Sequence, residues 1–254
     1  MSDDGRPATW WGAFFETEDW QRVQLGWGSL EDAGEQADRA IRALALEPGE
    51  RVLDVPCGDG RIAIELADHG MRVTGVDMTE RFLVAGRERA AARGLRVELL
   101  EGDMREPLGV EGFDAALCFW GSFGYFDDEG NRRQAAAVAD ALRPGGRYLI
   151  DTVTLEVIAP RFRARDWFES GGITVTTETA LNLGDGRVET TWTFRRADAD
   201  PVVRRSSIRC FTLHELTDLL RGAGFAAFSA LDAELEPFEL GSDRLWLVAT
   251  KGDG

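Results

Sequence analysis

The sequence lacks the clustered cations that bind a nucleic-acid backbone. Its 254 residues carry 29 Lys and Arg against 45 Asp and Glu, which gives a formal net charge of −16 at pH 7. Lys251 is the only lysine, and no run of lysine or arginine is longer than two residues. Because non-specific binding to phosphates requires clustered positive charge, we expect no nucleic-acid partner.

Cysteines and long apolar runs are also scarce. Cys57, Cys118 and Cys210 lie far apart and form no Cys-x-x-Cys pair, so we expect neither a disulfide framework nor a metal site. No apolar run approaches the roughly 18–20 residues of a membrane span, and no signal-like segment opens the sequence. We therefore expect a reduced, soluble, cytoplasmic protein without a membrane partner.

The chain does have enough apolar residues, 44% of the total, to fill the core of one domain with embellishments. Apolar spacing predicts a helix from Leu30 to Leu46, and strand and helix patterns alternate after it. Thr79 can cap one of these helices, and Asp127 or Asp128 can cap another. The alternation predicts a Rossmann-like α/β fold with a seven-stranded, mainly parallel sheet and helices on both faces.

The alternation of strand and helix patterns stops between Ile173 and Phe211. Three β-rich runs follow one another there, and "GDG" between the first two predicts a hairpin. Thr212 and Glu215 then form a capping-box pattern at the start of another helix. We therefore predict four segments. They are an N-terminal segment with the first helix (1–47), a parallel α/β core (48–160), an antiparallel β insert (161–211), and the last helix and strands of the core (212–254).

The stretch "VPCGDGR" follows the first strand of the core and is expected to bind the ligand. The dinucleotide fingerprint G-x-G-x-x-G requires glycine at positions 56, 58 and 61, which hold Pro56, Gly58 and Arg61. No G-K-[ST] sequence exists for a phosphate-binding loop of the Walker type. A dinucleotide-dependent oxidoreductase is therefore a remote alternative.

A different pattern is present, with an acid at the end of each of three successive strands. Asp54 precedes Gly58 and Gly60, Asp77 ends the second strand, and Asp103 lies in "EGDM" after the third. In this pattern the sequence resembles the class I S-adenosylmethionine-dependent methyltransferases, whose first motif is D/E-x-G-x-G-x-G. The form "LDxPCGxGR", with proline for the first glycine, resembles a small-molecule subgroup. The resemblance continues through "VTGVDMT", "SFGYFDDE", "LRPGG" and "FTLHELTDLLRGAGF", over roughly residues 10–250.

The resemblance implies S-adenosylmethionine as cofactor and S-adenosylhomocysteine as product. Asp77 is expected to accept the ribose hydroxyls, Asp103 the adenine amino hydrogen, and Asp54 to lie near the methionine ammonium group. Met104 is expected to lie against the purine. The full set of expected cofactor residues is Asp54, Pro56, Gly58, Gly60, Arg61, Asp77, Met78, Asp103, Met104 and Phe119.

The resemblance also implies that residues 1–47 contain a lid, that residues 48–160 form the cofactor-binding core, and that the insert (161–211) lies over the acceptor pocket. For the acceptor, it points to aromatic residues of the lid and of the loop after the fourth strand, and to one arginine of the insert. These candidates are Trp11, Phe15, Trp20, Trp120, Phe123 and Arg209. The aromatic rings could instead pack in a core, and Arg209 could pair with an acid rather than with an acceptor carboxylate.

Methyl transfer from a sulfonium needs alignment and removal of water, and sometimes a base. Tyr125 and His214 are the catalytic candidates, with Glu178 as a further base, and no single base is preferred. The expected function is methylation of an N, O or C nucleophile of a small metabolite. Non-methylating chemistry on the same cofactor, such as cyclisation of its aminobutyryl arm, or a sensor role are the alternatives. Homodimer formation through the insert stays open.

Overall fold

The computed structural model describes residues 10–15, 17–27, 30–197 and 199–253. They belong to two compact units. The larger unit comprises Leu30–Val157 and Phe211–Gly254, and the smaller unit comprises Met1–Ser29 and Ile158–Cys210. Residues 1–9, 16 and 28–29 of the predicted lid lie outside the described residues. The four predicted segments are divided by function, and that division stays a prediction.

Within the described residues, the secondary-structure elements are named in chain order. They are α1 (Trp10–Phe15), α2 (Glu18–Trp27), α3 (Leu30–Leu44), β1 (Arg51–Asp54), α4 (Arg61–Asp68), β2 (Arg72–Asp77), α5 (Glu80–Ala92), β3 (Glu98–Glu101), β4 (Phe113–Cys118), α6 (Asp128–Ala141), β5 (Leu142–Thr152), α7 (Leu155–Arg161), β6 (Arg165–Ser170), β7 (Ile173–Asn182), β8 (Arg187–Arg195), β9 (Val202–Arg209), α8 (Leu213–Gly222), β10 (Phe225–Leu231) and β11 (Leu245–Lys251).

A seven-stranded sheet forms the centre of the larger unit, in the order β10-β11-β5-β4-β1-β2-β3. Strands β1 to β5 pair in parallel, and β11 pairs antiparallel with both β5 and β10. The predicted Rossmann-like α/β fold is confirmed. Since the strand order reverses between β1 and β4, the loops that follow these two strands border the crevice where such sheets bind ligands.

Apolar side chains from helices and strands fill the core of the larger unit. On α3 the buried positions are Ala33, Ala37, Ala40 and Leu44, each at most 1% exposed, and they repeat with the period of a helix. They pack with α4 and with the buried faces of β1, β2, β4 and β5. This core fixes where the strands end, and the strand ends carry the candidate site.

The smaller unit contains a four-stranded antiparallel sheet, in the order β6-β7-β8-β9. Aromatic side chains of α1 and α2 form its core with two rings of β8. The Phe14 ring centroid lies 5.6 Å from that of Trp192 and 6.3 Å from that of Phe194. Trp20 also packs on Trp192, with the ring centroids 5.8 Å apart.

Several local predictions are corrected by the structure. Helix α3 ends at Leu44 rather than Leu46. Thr79 is the N-cap residue of α5, yet its side chain makes no capping hydrogen bond. The insert has four strands rather than three, because β6 precedes the predicted runs and joins β7 through Gly171 and Gly172, both at positive φ.

The other capping predictions are confirmed. The Asp127 side chain accepts a hydrogen bond from the backbone N–H of Gly130 at the start of α6. Thr212 and Glu215 form the complete capping box of α8. Along the part of the chain that the structure describes, no helix is both long and apolar enough to cross a membrane.

Candidate cofactor and active site

The loop after β1 is held between its two neighbouring strands. The backbone N–H of Val55 donates to Leu117 O of β4 (3.0 Å), and that of Cys57 donates to Val76 O of β2 (2.9 Å). Pro56 lies between them, after a cis peptide bond. These contacts place the loop at the point where the strand order reverses.

Gly58 and Gly60 have positive φ angles of 56° and 71°, a conformation that favours glycine. A Cβ placed on Gly58 would meet no atom within 4 Å. The space in front of this backbone is open, so a ligand can lie directly against it.

The position of the third dinucleotide-loop glycine is taken by Arg61, the first residue of α4. Its Nε lies 3.2 Å from Asp59 Oδ1. In the dinucleotide loop that glycine allows close packing between helix and strand. Here two other glycines, in β2 and α5, are the tightly packed ones. A Cβ on Gly75 of β2 would lie 2.6 Å from Leu99 Cδ2, and one on Gly86 of α5 would lie 2.8 Å from Asp59 O. These two glycines let β2 and α5 approach the loop.

This packing gives a stability prediction for α5. Gly86→Ala is expected to lower the free energy of unfolding by ~1–3 kcal/mol, because the methyl group overpacks the contact with Leu99 and Asp59. The matched control is Gly34→Ala in α3, where a Cβ meets nothing within 4 Å. It is expected to stabilise by about 0.5–1 kcal/mol. Urea unfolding of both variants checks this, and equal effects would contradict it.

Asp77, at the end of β2, joins the loop to α5. Its Oδ2 accepts from the Gly58 N–H and its Oδ1 from the Thr79 N–H, each at 2.9 Å. Burial raises the pKa of Asp77, and these two hydrogen bonds oppose the rise. The carboxylate therefore stands at the same sheet edge as Gly58, as its predicted ribose role requires.

Asp54, at the end of β1, is 2% exposed. Burial, and then the nearby Asp77 carboxylate, raise the pKa of Asp54 to about 8, although a hydrogen bond from the Ala63 backbone opposes the rise. That bond also serves α4, whose N-cap residue is Gly60 and provides no side-chain cap. Two buried carboxyl groups thus make this end of the site suitable for a cation.

Asp103 lies in the loop after β3 and is already engaged by Arg105. The Arg105 Nη2 atom lies 2.5 Å from Asp103 Oδ2, and the Arg105 side chain lowers the pKa of Asp103. The Arg105 guanidinium carbon lies 4.4 Å from the Phe126 ring centroid. Asp103 Oδ1 also accepts from the Arg105 backbone N–H and Nε, so Arg105 uses most of the roughly four acceptor sites of this carboxylate, and the adenine role of Asp103 stays a prediction. Met104 is buried, whereas Met78 is 48% exposed.

The loop after β4 places its aromatic residues in different surroundings. Phe119 and Phe123 are 3% and 1% exposed, and they pack on Trp246 and Phe211 with ring centroids 5.3 and 5.8 Å apart. They are core residues of the larger unit. Trp120 is different, because its side chain is 43% exposed.

Trp120 also has a left-handed backbone, with φ 63°, a conformation that costs of order 1–3 kcal/mol for a residue other than glycine. Its N–H donates to Asp151 Oδ2 at 2.8 Å. The guanidinium carbon of Arg61 lies 5.6 Å from the Trp120 ring centroid. The loop after β4 therefore meets the first turn of α4 through this ring.

The two catalytic candidates, Tyr125 and His214, differ in how far they are buried. Tyr125 is partly buried, and burial raises its pKa above the ordinary value while a bond to Ser122 opposes the rise. Its hydroxyl therefore stays protonated at neutral pH. His214 is 82% exposed on α8, with Nε2 3.2 Å from Asp218 Oδ2. The structure places His214 on the surface rather than at the sheet edge that holds Asp54 and Asp77.

The remaining acceptor candidates belong to the smaller unit. Trp11 and Trp20 are buried and Phe15 is partly buried. All three lie in the aromatic cluster of α1 and α2, with Trp10 at 6.2 Å from Trp11 between ring centroids. Arg209 Nη1 donates to Cys210 O at 2.8 Å. Their acceptor roles stay predictions, and Glu178 lies 3.3 Å from Arg165 in an exposed ion pair.

Sequence reasoning missed Asp151 at the end of β5. It is 4% exposed, and its carboxylate accepts from Trp120 N, Arg244 and Trp246 Nε1. A strand-end acid within "RYLIDTV" was a visible signal, but its partners lie far along the chain. Among the described residues, no group of three or more His, Cys, Asp and Glu side chains could hold a metal ion.

Comparison with known proteins points to one class. Residues 52–146 match the family described as "Methyltransferase domain". A demethylmenaquinone methyltransferase from Deinococcus radiodurans is 34% identical over 122 residues, which are 47% of this chain and 49% of that protein. The S-adenosyl-L-methionine-dependent Diels-Alderase iccD of Talaromyces variabilis is 32% identical over 112 residues, which are 42% and 37% of the two chains. The chain spans about half, or less, of the length of these curated relatives.

Solved structures extend the likeness over the whole fold. An S-adenosylmethionine-dependent methyltransferase from Clostridium acetobutylicum superposes with a TM-score of 0.76 at 15% identity, covering 92% of this chain and 96% of that one. The S-adenosylmethionine-bound amino pentose methyltransferase CalS10 from Micromonospora echinaspora gives 0.66 at 26% identity, covering 92% and 95%. The fold is that of solved S-adenosylmethionine-dependent methyltransferases, and residues 52–146 match a methyltransferase domain. S-adenosylmethionine is the cofactor of that class.

Proposed function

We propose that this protein transfers a methyl group from S-adenosylmethionine to an N, O or C nucleophile of a small metabolite. The observation that carries the proposal is the Asp77–Gly58 hydrogen bond of 2.9 Å. It brings the predicted ribose acceptor and the open glycine backbone together at one edge of the sheet. The pKa of Asp54 is raised to about 8, so this carboxyl can release its proton when a cationic ligand binds and then match the cationic end of the cofactor.

The bound cofactor would supply an activated methyl group whose leaving group departs as a neutral thioether. The chain's own contribution is to align the reactants and exclude water, which is worth up to roughly 7–11 kcal/mol for well-oriented groups. The protonated hydroxyl of Tyr125 suits hydrogen-bond donation rather than general-base catalysis. We therefore propose that the acceptor arrives with an available lone pair, as an amine or an activated hydroxyl or carbon.

A small acceptor is favoured over a nucleic acid because the formal net charge is −16, and a phosphate backbone is repelled by such a chain. The acceptor itself is to be sought among small molecules. The insert (161–211) is proposed as the segment that adapts the enzyme to its acceptor, since specificity commonly lies on variable connections.

The direct test incubates the purified chain with S-adenosylmethionine and fractions of a small-molecule extract. We expect S-adenosylhomocysteine to accumulate in an acceptor-dependent manner, measured by mass spectrometry, with a product heavier by one methylene. Asp77→Asn is the negative control. Cofactor binding without S-adenosylhomocysteine in any fraction would contradict methyl transfer.

A second candidate function retains the cofactor and changes the chemistry. It is favoured by the likeness to a relative named as an S-adenosyl-L-methionine-dependent Diels-Alderase. In that case the substrate is converted while S-adenosylmethionine is recovered intact. Release of methylthioadenosine would instead indicate cyclisation of the aminobutyryl arm, and binding without any conversion would indicate a sensor.

A dinucleotide-dependent oxidoreductase is the remote third candidate. It predicts that NAD raises the melting temperature and that S-adenosylmethionine does not. The two glycine positions replaced by Pro56 and Arg61 argue against it.

A further inference from the structure

The carboxylate of Asp151 accepts hydrogen bonds from two separate parts of the larger unit, the loop after β4 and the start of β11. Its Oδ2 accepts from Trp120 N at 2.8 Å and from Arg244 Nη2 at 2.9 Å. Its Oδ1 accepts from Trp246 Nε1 at 3.0 Å and from Arg244 Nε. A buried carboxyl group that accepts this many hydrogen bonds is firmly held.

The same residue fixes two consecutive peptide groups of the loop after β4. Besides the Trp120 N–H on its side chain, the Asp151 backbone carbonyl accepts from the Gly121 N–H at 3.0 Å. Trp120 has the unfavourable left-handed φ of 63°. Because such a conformation persists only where its surroundings impose it, Asp151 is the group that imposes it.

The contacts of Asp151 determine where the side chain of Trp120 lies. Trp120 is 43% exposed, whereas Phe119 before it is 3% exposed. The ring of Trp120 lies beside Arg61, with 5.6 Å between the guanidinium carbon and the ring centroid. Arg61 follows directly on Gly60 of the cofactor loop. The ring therefore already neighbours a cation at the edge of the proposed cofactor site.

We propose that Asp151, supported by Arg244, is a positioning residue that holds the Trp120 ring against the sulfonium end of S-adenosylmethionine. This inference rests on the proposed function, because it requires that cofactor in the site. A ring face attracts a cation but gains nothing comparable from the neutral thioether of S-adenosylhomocysteine. The ring would thus favour the methyl donor over its product.

The test compares the affinities of the two ligands by calorimetry. Asp151→Asn and Trp120→Leu are each expected to weaken S-adenosylmethionine binding more than S-adenosylhomocysteine binding, by a factor of about 2–30, the range of a ring–cation attraction. The double variant is expected to show the same ratio as either single variant, since both changes remove one interaction. A loss of structure alone would weaken both ligands equally.

The matched control is Asp114→Asn, which breaks another carboxylate–arginine contact at the opposite end of the sheet. There Arg143 Nε lies 2.6 Å from Asp114 Oδ1, and we expect the ligand ratio to stay at the wild-type value. Should Asp151→Asn fail to fold, Arg244→Lys weakens the same network, while Trp120→Leu tests the ring directly.

Each outcome is decisive. An unchanged ratio of the two affinities in Trp120→Leu, or in Asp151→Asn and Arg244→Lys, overturns the inference while the proposed function stands. If the wild-type chain binds neither S-adenosylmethionine nor S-adenosylhomocysteine, the proposed function itself is wrong. A changed ratio in Asp114→Asn also overturns the inference, because the effect would then be general.

Discussion

Asp77→Asn is expected to weaken the binding of S-adenosylhomocysteine by at least about 100-fold. The proposed role of Asp77 is to accept hydrogen bonds from two ribose hydroxyls, and asparagine offers one acceptor oxygen and no charge. Hydrogen bonds to a charged group contribute about 1.5–3 kcal/mol each, so losing two corresponds to roughly 10²–10⁴-fold. Calorimetric titration of the purified variant measures the change directly.

Asparagine is chosen over alanine because Asp77 also accepts from Gly58 N and Thr79 N. One amide oxygen can still accept from one of these donors, whereas alanine accepts from neither. Glu101→Gln is the matched control, since Glu101 is exposed and lies beside Asp77 in the sheet register. It should bind within about twofold of wild type. An Asp77→Asn variant that binds within threefold of wild type would refute the ribose assignment.

The second large effect concerns pH. S-adenosylmethionine affinity is expected to rise as the pH increases from 6 to 8, because the cationic ligand favours the ionised form of Asp54. The pKa of Asp54 is raised to about 8 by burial and by Asp77, with Asp59 adding in the same direction. Below that pH the carboxyl must release a proton on binding, which weakens affinity by up to about tenfold per pH unit.

Proton release is measured by repeating the calorimetry in buffers of different ionisation enthalpy. The ligand's own α-amino group titrates near 7.7–8.0, so the informative quantity is the difference between wild type and Asp54→Asn. We expect up to one additional proton released by wild type near pH 6.5, and none above pH 9. Equal proton release by both proteins would contradict the assignment.

The ligand-free chain should show the opposite trend. The folded Asp54 carboxyl holds its proton up to about pH 8, whereas the unfolded group has the ordinary value of 3.8. Its contribution to stability is therefore complete below pH 4 and is lost as the pH rises to 8, with a limiting slope of about 1.4 kcal/mol per pH unit. Urea unfolding of wild type and Asp54→Asn at pH 5.5 and 7.5 separates this contribution from the others.

Much of the fold could be predicted because its signals are local. Short apolar runs that alternate with helical patterns indicate buried parallel strands, and β1 to β5 follow that rhythm. Strand β6 was missed because "RDWFES" has no clear alternation, although the Gly171–Gly172 pair after it was a hairpin signal. Helix α7 was missed because Pro160 stands inside it, and proline normally ends a helix.

In the candidate site, too, some residues could be predicted from local patterns and others could not. Asp54 and Asp77 could be predicted because an acid at a strand end has a known place in such sheets. Asp151 follows the same rule, yet its role depends on Arg244 and Trp246, whose separations from it along the chain are 93 and 95 residues. No local sequence pattern predicts these long-range contacts. The glycine contacts at Gly75 and Gly86 likewise depend on how β2 and α5 pack around the loop.

The aromatic core of the smaller unit has a consequence for synthesis on the ribosome. Helices α1 and α2 emerge early, but the rings that cover Phe14 and Trp20 belong to β8, at Trp192 and Phe194. Until β8 has been synthesised, the tryptophan- and phenylalanine-rich helices α1 and α2 stay exposed while the first strands of the larger unit fold. Nascent chains paused before β8 should therefore recruit chaperones and aggregate readily, and the β insert could not be deleted without leaving those helices exposed.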